Sequence, residues 1–286
     1  MKVKEILITS DYYPSRLRNI KNPPNKLYVL GDEQLLSENG IAVIGSREYS
    51  DYGKKHAINF SKEIAEQGLT IISGMAKGID TFAHKGALKA NGKTIAVLGG
   101  GFNHIFPEEN IELMKEILKK GGTVITEYAP DVNISSKNFV ERNRIVSGLA
   151  MGVLVIEAMF RSGTSITAKL AKEQGKTIFC IPSDLEKKNG IGTNKLIKEG
   201  AKLVTDATDI LDYFQIRKAN VKEKIKEIKI PQEYQTIYEV IENEPIHVDI
   251  ICKKLNTSMS NINSTLMLME LEGYIKSLPG NYIKKV

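Results

Sequence analysis

The chain has 286 residues, of which 42% are hydrophobic and 26% charged, and it carries a formal net charge of +6. This balance is typical of a globular protein with a full core, and the positive charge weakly favours an acidic partner. No apolar run approaches the roughly 18 residues of a membrane helix and no stretch resembles a signal peptide, so we expect a cytoplasmic protein with no membrane partner.

The first 40 residues are broken by prolines and contain one predicted strand, Leu27–Leu30, so we expect an N-terminal segment over residues 1–40. From residue 41 short apolar runs rich in Val, Ile and Thr alternate with helical patterns, as in parallel strands covered on both faces. The predicted strands are Ile41–Ile44, Leu69–Ile72, Thr94–Leu98, Thr123–Thr126, Val153–Ile156, Thr177–Ile181 and Lys202–Val204. The predicted helices are Gly53–Gln67, Thr81–Asn91, Glu109–Lys120, Val140–Ala150, Ile166–Gln174 and Asn194–Glu199. Residues 41–214 are therefore predicted to form an α/β domain with a doubly wound, mostly parallel sheet of about seven strands.

Near residue 214 the composition changes. Residues 217–229 contain six basic and two acidic side chains, a net charge of +4, and we expect a charged linker over residues 215–230. Residues 231–286 then show three helical patterns followed by two short strands around a Pro279-Gly280 turn, which predicts a small C-terminal winged-helix domain. The net charge of this unit is −2, which favours contacts with protein or an accessory contact with DNA over a grip on duplex phosphates.

Two glycine loops follow predicted strands, and each loop carries a cation. Gly45-Ser46-Arg47 comes after Ile41–Ile44, and the segment Ser73–Asp80 comes after Leu69–Ile72. Glycines let a backbone approach a phosphate closely, free N–H groups bind the phosphate, and a cation neutralises it. An alternative is that the glycines only shape tight turns. The candidate phosphate ligands in these loops are Gly45, Ser46, Arg47, Ser73, Gly74, Lys77 and Gly78.

A third group of polar residues opens the helix predicted near residue 140. Arginine at a helix start is electrostatically unfavourable unless an anion lies nearby, which favours binding of phosphate. Phe139 has the ring needed to stack on a base, although a buried anchor would have the same sequence pattern. An alternative role for the arginines is an ion pair with a core acid such as Glu157. The candidates in this group are Lys137, Phe139, Arg142, Asn143 and Arg144.

A fourth loop, residues 161–165, follows the strand Val153–Ile156. Its hydroxyl groups and glycine lie at another helix start, a position that suits an anion, so Ser162, Gly163 and Thr164 join the predicted site. Because parallel strands end at one edge of a sheet, we expect all four groups to lie along that edge.

None of these loops assembles the side chains of a catalytic or metal site. The four histidines form no cluster, and no carboxylate pair or Ser–His–Asp set is apparent. The loose match to a nucleotide-binding P-loop, Ala87–Thr94, lies between a helix and a strand, which is the reverse of the required order. We therefore expect no cofactor, no metal and no enzymatic activity.

Taken in order, these motifs resemble those of the DNA-processing protein A (DprA/Smf) family over about residues 41–211. The matching residues are Gly45-Ser46-Arg47, Ser73–Asp80 with His84, Phe139 with Arg142-Asn143-Arg144, Glu157 with Ser162-Gly163-Thr164 and Thr167, and Gly192-Thr193-Asn194 with Leu196-Ile197 and Gly200-Ala201. Two positions depart from the family pattern, because Ser183 stands where glycine is usual and Val140 where proline is usual.

The resemblance implies an extended Rossmann-like fold that binds single-stranded DNA, forms a homodimer and helps to load the recombinase RecA during natural transformation. It implies a dimer interface on the last helices of the domain, at Ile166, Leu170, Leu196 and Ile197. A C-terminal winged helix is also common in the family.

Two other functions are compatible with parts of the pattern. Related Rossmann-like folds act as nucleotide or phosphoribosyl-processing enzymes with a double-glycine loop and a catalytic glutamate. The corresponding residues here, 161–165, contain one glycine and no following acid, and Glu157 is better explained as structural. A nucleotide-sensing regulator would use the winged helix to read duplex promoters, which the negative charge of that unit disfavours.

Overall fold

The computed structural model describes residues 2–160, 162–216, 231–241 and 245–285. The chain forms two compact units, Met1–Lys218 and Ala219–Val286. The charged linker predicted over residues 215–230 lies outside the described residues from position 217 onward.

The first unit is built on a nine-stranded sheet with the order β1-β2-β6-β5-β4-β3-β7-β8-β9. In chain order its strands are β1 Lys4–Leu7, β2 Lys26–Gly31, β3 Gly40–Ile44, β4 Thr70–Gly74, β5 Thr94–Val97, β6 Thr123–Thr126, β7 Gly152–Val155, β8 Thr177–Cys180 and β9 Lys202–Leu203. All pairings among β3 to β9 are parallel. The predicted α/β fold class is therefore confirmed.

The first 40 residues, predicted as an N-terminal segment with one strand, add two antiparallel strands to this sheet. β2 pairs antiparallel with β6, and β1 pairs antiparallel with β2. Leu27 and Val29 of β2 are fully buried, as is Leu17 of the short helix α1, Ser15–Arg18. The open edge of β6 explains why this segment joins the sheet, because unpaired backbone groups on an edge strand favour an added partner. The sequence predicted the strand Leu27–Leu30 but not the strand with which it pairs.

Helices cover both faces of the sheet, which is why the central strands are apolar throughout. The other helices of this unit are α2 Asp51–Glu66, α3 Ile79–Lys89, α4 Ile111–Lys119, α5 Ser136–Leu149, α6 Gly163–Glu173, α7 Ile191–Lys198 and α8 Ala207–Tyr213. Apolar residues of α1, α5 and α6 fill one core cluster, and those of α2, α3 and α8 fill a second. The sequence pattern did not predict α8, which begins with a capping box between Asp206 and Asp209.

No helix in the described ranges is both long and apolar enough to cross a membrane. The longest, α2, has 16 residues, whereas a bilayer requires about 20 apolar ones.

β3 lies where the order of the strands reverses. After β3 the chain continues through β4, β5 and β6 on one side, whereas β7, β8 and β9 follow on the other. In open α/β sheets such a reversal opens a crevice beyond the carboxyl ends of the two central strands, where ligands bind. The loop that contains Gly45, Ser46 and Arg47 follows β3 and therefore borders this crevice.

The second unit is a winged helix, as predicted. Its elements are α9 Gln232–Val240, β10 Ile246–His247, α10 Val248–Lys254, α11 Met259–Leu271, β11 Ile275–Leu278 and β12 Tyr282–Lys285. β12 pairs antiparallel with both β10 and β11. The core of this unit includes Tyr234, Ile251, Leu266 and Ile283. The third helix, α11, contains no lysine or arginine.

Candidate nucleic-acid interface

The loops after β3 and β4 are held together by a glycine turn. Gly78 has a φ of +89°, and a Cβ at this position would collide with the carbonyl oxygen of Ser46. The Ile79 N–H donates to the same oxygen at 3.2 Å, which fixes the start of α3 against the loop after β3. The two glycine loops therefore lie side by side, as their positions after neighbouring strands predict.

Arg47 lies over the Phe139 ring, which is one of a pair of adjacent aromatic rings. Its guanidinium carbon is 5.3 Å from the centre of the Phe139 ring, which is within the range of a cation–π contact. The Phe139 ring packs against Gly99, and its centre is 5.7 Å from that of Phe106. Among the described residues no carboxylate oxygen lies within 4.0 Å of the Arg47 guanidinium, so its charge is available to an anionic ligand.

Phe106 is a candidate functional residue that the sequence analysis missed. It is 51% exposed, beside Phe139, in the segment that follows β5. An exposed phenylalanine whose ring contacts Phe139, which in turn contacts Arg47, is well suited to stack on a base. The sequence carried one signal for it, because Phe106 follows the glycine run Gly99-Gly100-Gly101 at the same edge of the sheet.

Arg142 does not reach the surface, which corrects its predicted contact with phosphate. It is 3% exposed, and its Nη1 donates to the carbonyl oxygen of Val97 at 2.6 Å. Both Nη1 and the Asp80 carboxylate lie against Gly74, where a Cβ would collide with each of them. Burial raises the pKa of Asp80, and the positive charge of Arg142 opposes this rise. Arg142 therefore compensates a buried acid, although that acid is Asp80 and not the predicted Glu157.

Three other predicted cations are paired with glutamates. Arg144 donates to both carboxylate oxygens of Glu127 at 2.6 Å, a bidentate and mostly buried pair that anchors α5 beside the end of β6. The side chains of Lys77 and Lys137 are exposed, and each lies 3.5–3.6 Å from a glutamate carboxylate. Because exposed ion pairs contribute little, a phosphate can replace the glutamate at Lys77 or Lys137 more easily than at Arg144.

Three predicted hydroxyl contacts are buried, so the structure contradicts the surface positions expected for them. The Ser73 hydroxyl donates to the carbonyl oxygen of Val43 at 2.7 Å, and that of Ser46 donates to the carbonyl oxygen of Glu48 at 2.7 Å. Thr164 is buried in the first turn of α6. The Ser46 hydroxyl therefore stabilises its own loop, and the Ser73 hydroxyl ties β4 to β3.

The remaining predicted residues shape the surface or lie in it. Gly45 allows close packing of Ile79, since a Cβ there would approach that side chain to 2.6 Å. Ser162 caps α6 by accepting from the Ser165 N–H, and Gly163 next to it faces open space. Asn143 is half-buried in α5.

Glu157 and His84 have structural partners. Glu157 is buried, and its carboxylate accepts from both the N–H and the hydroxyl of Ser50, which ties the start of α2 to the end of β7. His84 lies 2.7 Å from Thr94 Oγ1 and 2.6 Å from the Gly74 carbonyl oxygen, and burial lowers its pKa to about 4. Within the described ranges no group of three His, Cys, Asp or Glu side chains could hold a metal ion.

The predicted dimer residues lie on α6 and α7. Ile166 is exposed, and Leu170, Leu196 and Ile197 are half-buried. A cavity of about 580 Å³ lies against Leu196. Its lining combines apolar side chains with five lysines, Lys169, Lys172, Lys176, Lys195 and Lys202.

Residues 4–215 match the family model described as DNA recombination-mediator protein A, and residues 228–281 match the DprA winged helix domain. The chain is 36% identical to Protein Smf of Escherichia coli, over 96% of this chain and 75% of that protein. It is 40% identical to the DNA processing protein DprA of Bacillus subtilis, over 73% of this chain and 71% of that protein.

Two solved structures are also similar. DNA processing protein A from Streptococcus pneumoniae aligns with a TM-score of 0.70 at 40% identity and covers 74% of each chain. DNA processing protein A from Helicobacter pylori, whose structure was described for its single-stranded DNA binding mode, aligns with a TM-score of 0.65 at 32% identity. That alignment covers 71% of this chain and 92% of the Helicobacter chain.

Proposed function

We propose that this chain, which belongs to the DNA recombination-mediator protein A (DprA/Smf) family, binds single-stranded DNA at the carboxyl edge of its sheet. The observation that carries the proposal is Arg47, a cation without a carboxylate partner in the described residues, beside the rings of Phe139 and Phe106. We refer to these three residues as the Arg47 site. Cations alone favour the duplex, whose charge density is higher, whereas exposed rings favour bases that are unpaired.

We extend this proposal to a recombination mediator that protects incoming single strands in the cytoplasm and helps to load RecA onto them during natural transformation. Family membership supports this role, as does the single-stranded DNA binding described for the Helicobacter relative.

Replacing Arg47 with alanine should weaken binding to a labelled single strand and reduce the magnitude of its salt slope by about 0.7, because one phosphate contact is lost. Fluorescence anisotropy titrations over a salt series would measure both quantities for a single strand, a duplex of the same sequence and a mononucleotide.

Lys93→Ala is the matched control for charge. Lys93 directly precedes β5, at the opposite edge of the sheet, and its Nζ donates to the Lys120 carbonyl oxygen. Parent affinity and an unchanged salt slope in Arg47→Ala would contradict the proposal, as would a parent protein that prefers the duplex.

We also propose that two chains associate through the faces of α6 and α7. Leu196 and Ile197 pack against the core from one side and are only half-covered, and Ile166 is exposed on the neighbouring helix. Apolar side chains in this setting gain from burial against a second copy.

Replacing Leu196 with lysine should dissociate such a dimer. The new ammonium group would join the five lysines around the adjacent cavity, where like charges repel and desolvation is costly. Leu7→Lys, at the exposed position of edge strand β1, is the matched control at the other end of the sheet. Light scattering should show a monomer for Leu196→Lys and the parent mass for Leu7→Lys; a Leu196→Lys protein that remains dimeric would rule out this face.

We further propose that the chain is not an enzyme that cleaves nucleotides. The catalytic glutamate of such an enzyme must reach its substrate, whereas both carboxylate oxygens of the buried Glu157 accept hydrogen bonds from Ser50. A role in reading duplex promoters is disfavoured as well, because α11 occupies the place of a recognition helix and carries no cation for phosphates.

A further inference from the structure

A second cluster of aromatic rings and cations lies close to the Arg47 site along the chain. Tyr49 follows Arg47 by two residues, and its ring is in edge-to-face contact with Phe82 of α3, with 4.6 Å between ring centres. Tyr49 is 39% exposed and Phe82 is 8% exposed, so Phe82 supports the Tyr49 ring from within. The Tyr49 ring is thereby held in place while more than a third of the residue stays exposed.

Two lysines share the same supporting ring. Lys54 Nζ from α2 lies 5.5 Å from the centre of Phe82, and Lys85 Nζ from α3 lies 5.9 Å from it. Both residues are exposed. Two like charges held near one ring raise the local positive potential, which a bound anion would lower.

These lysines differ from three of the cations predicted from the sequence. Lys77, Lys137 and Arg144 are each paired with a glutamate, whereas no carboxylate oxygen lies within 4.0 Å of Lys54 or Lys85 in the described parts of the chain. Acidic residues do occur nearby in sequence, at Glu48 and Asp51, but they form no ion pair with either lysine. The uncompensated positive charge therefore extends from Arg47 towards α2 and α3.

We propose that Tyr49, Phe82, Lys54 and Lys85 form a second nucleotide subsite, which holds a base and its flanking phosphates where a single strand continues beyond the Arg47 site. Tyr49 supplies the stacking face, Phe82 fixes its orientation, and the two lysines neutralise phosphates on either side. This combination of a supported ring and free cations is what binding of single strands requires. The proposal rests on the proposed function, because the strand must first occupy the Arg47 site.

Strand length separates the two subsites experimentally. A Lys54→Ala/Lys85→Ala protein should bind an oligothymidylate of about 4 nucleotides as the parent does, because so short a strand fills one subsite. With about 16 nucleotides, its affinity should fall and the magnitude of its salt slope should fall by about 1.4, since each phosphate contact contributes about 0.7. Tyr49→Ala should weaken binding of the longer strand about 5-fold or more at an unchanged slope, and Tyr49→Phe should restore the parent affinity.

The matched control is Lys62→Ala/Lys89→Ala, which removes two exposed lysines from the same helices further from the Tyr49 ring. Anisotropy titrations of both double variants at both strand lengths should show a difference in affinity and salt slope between the two variants only for the longer strand. The second subsite would be overturned if the two double variants bound the longer strand with equal affinity. It would also be overturned if Lys54→Ala/Lys85→Ala lost as much affinity for the short strand as for the long one. Either result would leave the Arg47 site unaffected. A parent that binds neither strand would overturn the proposed function together with it.

Discussion

Replacing Arg142 with alanine should lower the free energy of unfolding by about 3–5 kcal/mol, because it removes the larger of the two positive charges, Arg142 and Arg47, that stabilise the buried Asp80 carboxylate. The variant also loses the hydrogen bond from Nη1 to the Val97 carbonyl oxygen, which lies at the end of β5. Urea denaturation of the parent and the variant at neutral pH would measure the loss.

The pH dependence of the stability loss shows whether the ionised Asp80 carboxylate causes it. Burial already raises the pKa of Asp80, and removal of Arg142 should raise it further. A carboxyl whose folded pKa lies above its unfolded value stabilises the fold when protonated and loses that contribution as pH rises through the folded pKa. The difference between parent and variant should therefore shrink as pH falls.

A second change provides the control for this mechanism. Asp80→Asn in the Arg142→Ala background should recover part of the lost stability, because a neutral amide needs no counter-charge. An Arg142→Ala protein with parent stability but a reduced salt slope for single strands would instead show that Arg142 binds phosphate directly.

Replacing Phe106 with alanine should weaken binding of single strands roughly 5- to 150-fold, because stacking of a base on an aromatic ring contributes about 1–3 kcal/mol. The salt slope should stay constant, since Phe106 makes no phosphate contact. Anisotropy titrations at several salt concentrations would separate affinity from slope.

Phe139→Ala should behave differently from Phe106→Ala. The Arg47 guanidinium lies over the Phe139 ring, so loss of this ring also releases Arg47 and should lower both affinity and salt slope. Phe106→Tyr, which keeps a stacking face, should bind as the parent, and Phe106→Leu, which keeps only apolar area, should not. Parent affinity in Phe106→Leu would show that area alone matters at this position and that no base stacks there.

Local patterns in the sequence were sufficient to predict the seven parallel strands and the helices between them. Buried parallel strands are short apolar runs, and helices that cover them carry an apolar face and end at glycines such as Gly68 and Gly121, which have positive φ. These signals lie within a few residues of each element, so they can be read without knowledge of the partners. The order of motifs after the strands also placed Arg47 and Phe139 at one edge of the sheet.

The failures share one cause, which is dependence on a partner distant in sequence. β2 was predicted as a strand, but its place in the sheet depends on the open edge of β6. Arg142 is buried because Asp80 and Val97 receive its charge and its hydrogen bond. An arginine that binds phosphate and one that neutralises a core acid look alike in sequence.

The sequence by itself therefore determined the fold class, the family and the edge of the sheet at which we propose that single-stranded DNA binds. Only the tertiary structure decided which side chains at that edge are free to bind it. Glutamates from other parts of the chain form ion pairs with Lys77 and Arg144. In the described residues, Arg47, Lys54 and Lys85 have no carboxylate within 4.0 Å. The physical reason is that the availability of a charge depends on its neighbours in space, and folding brings those neighbours from distant parts of the chain.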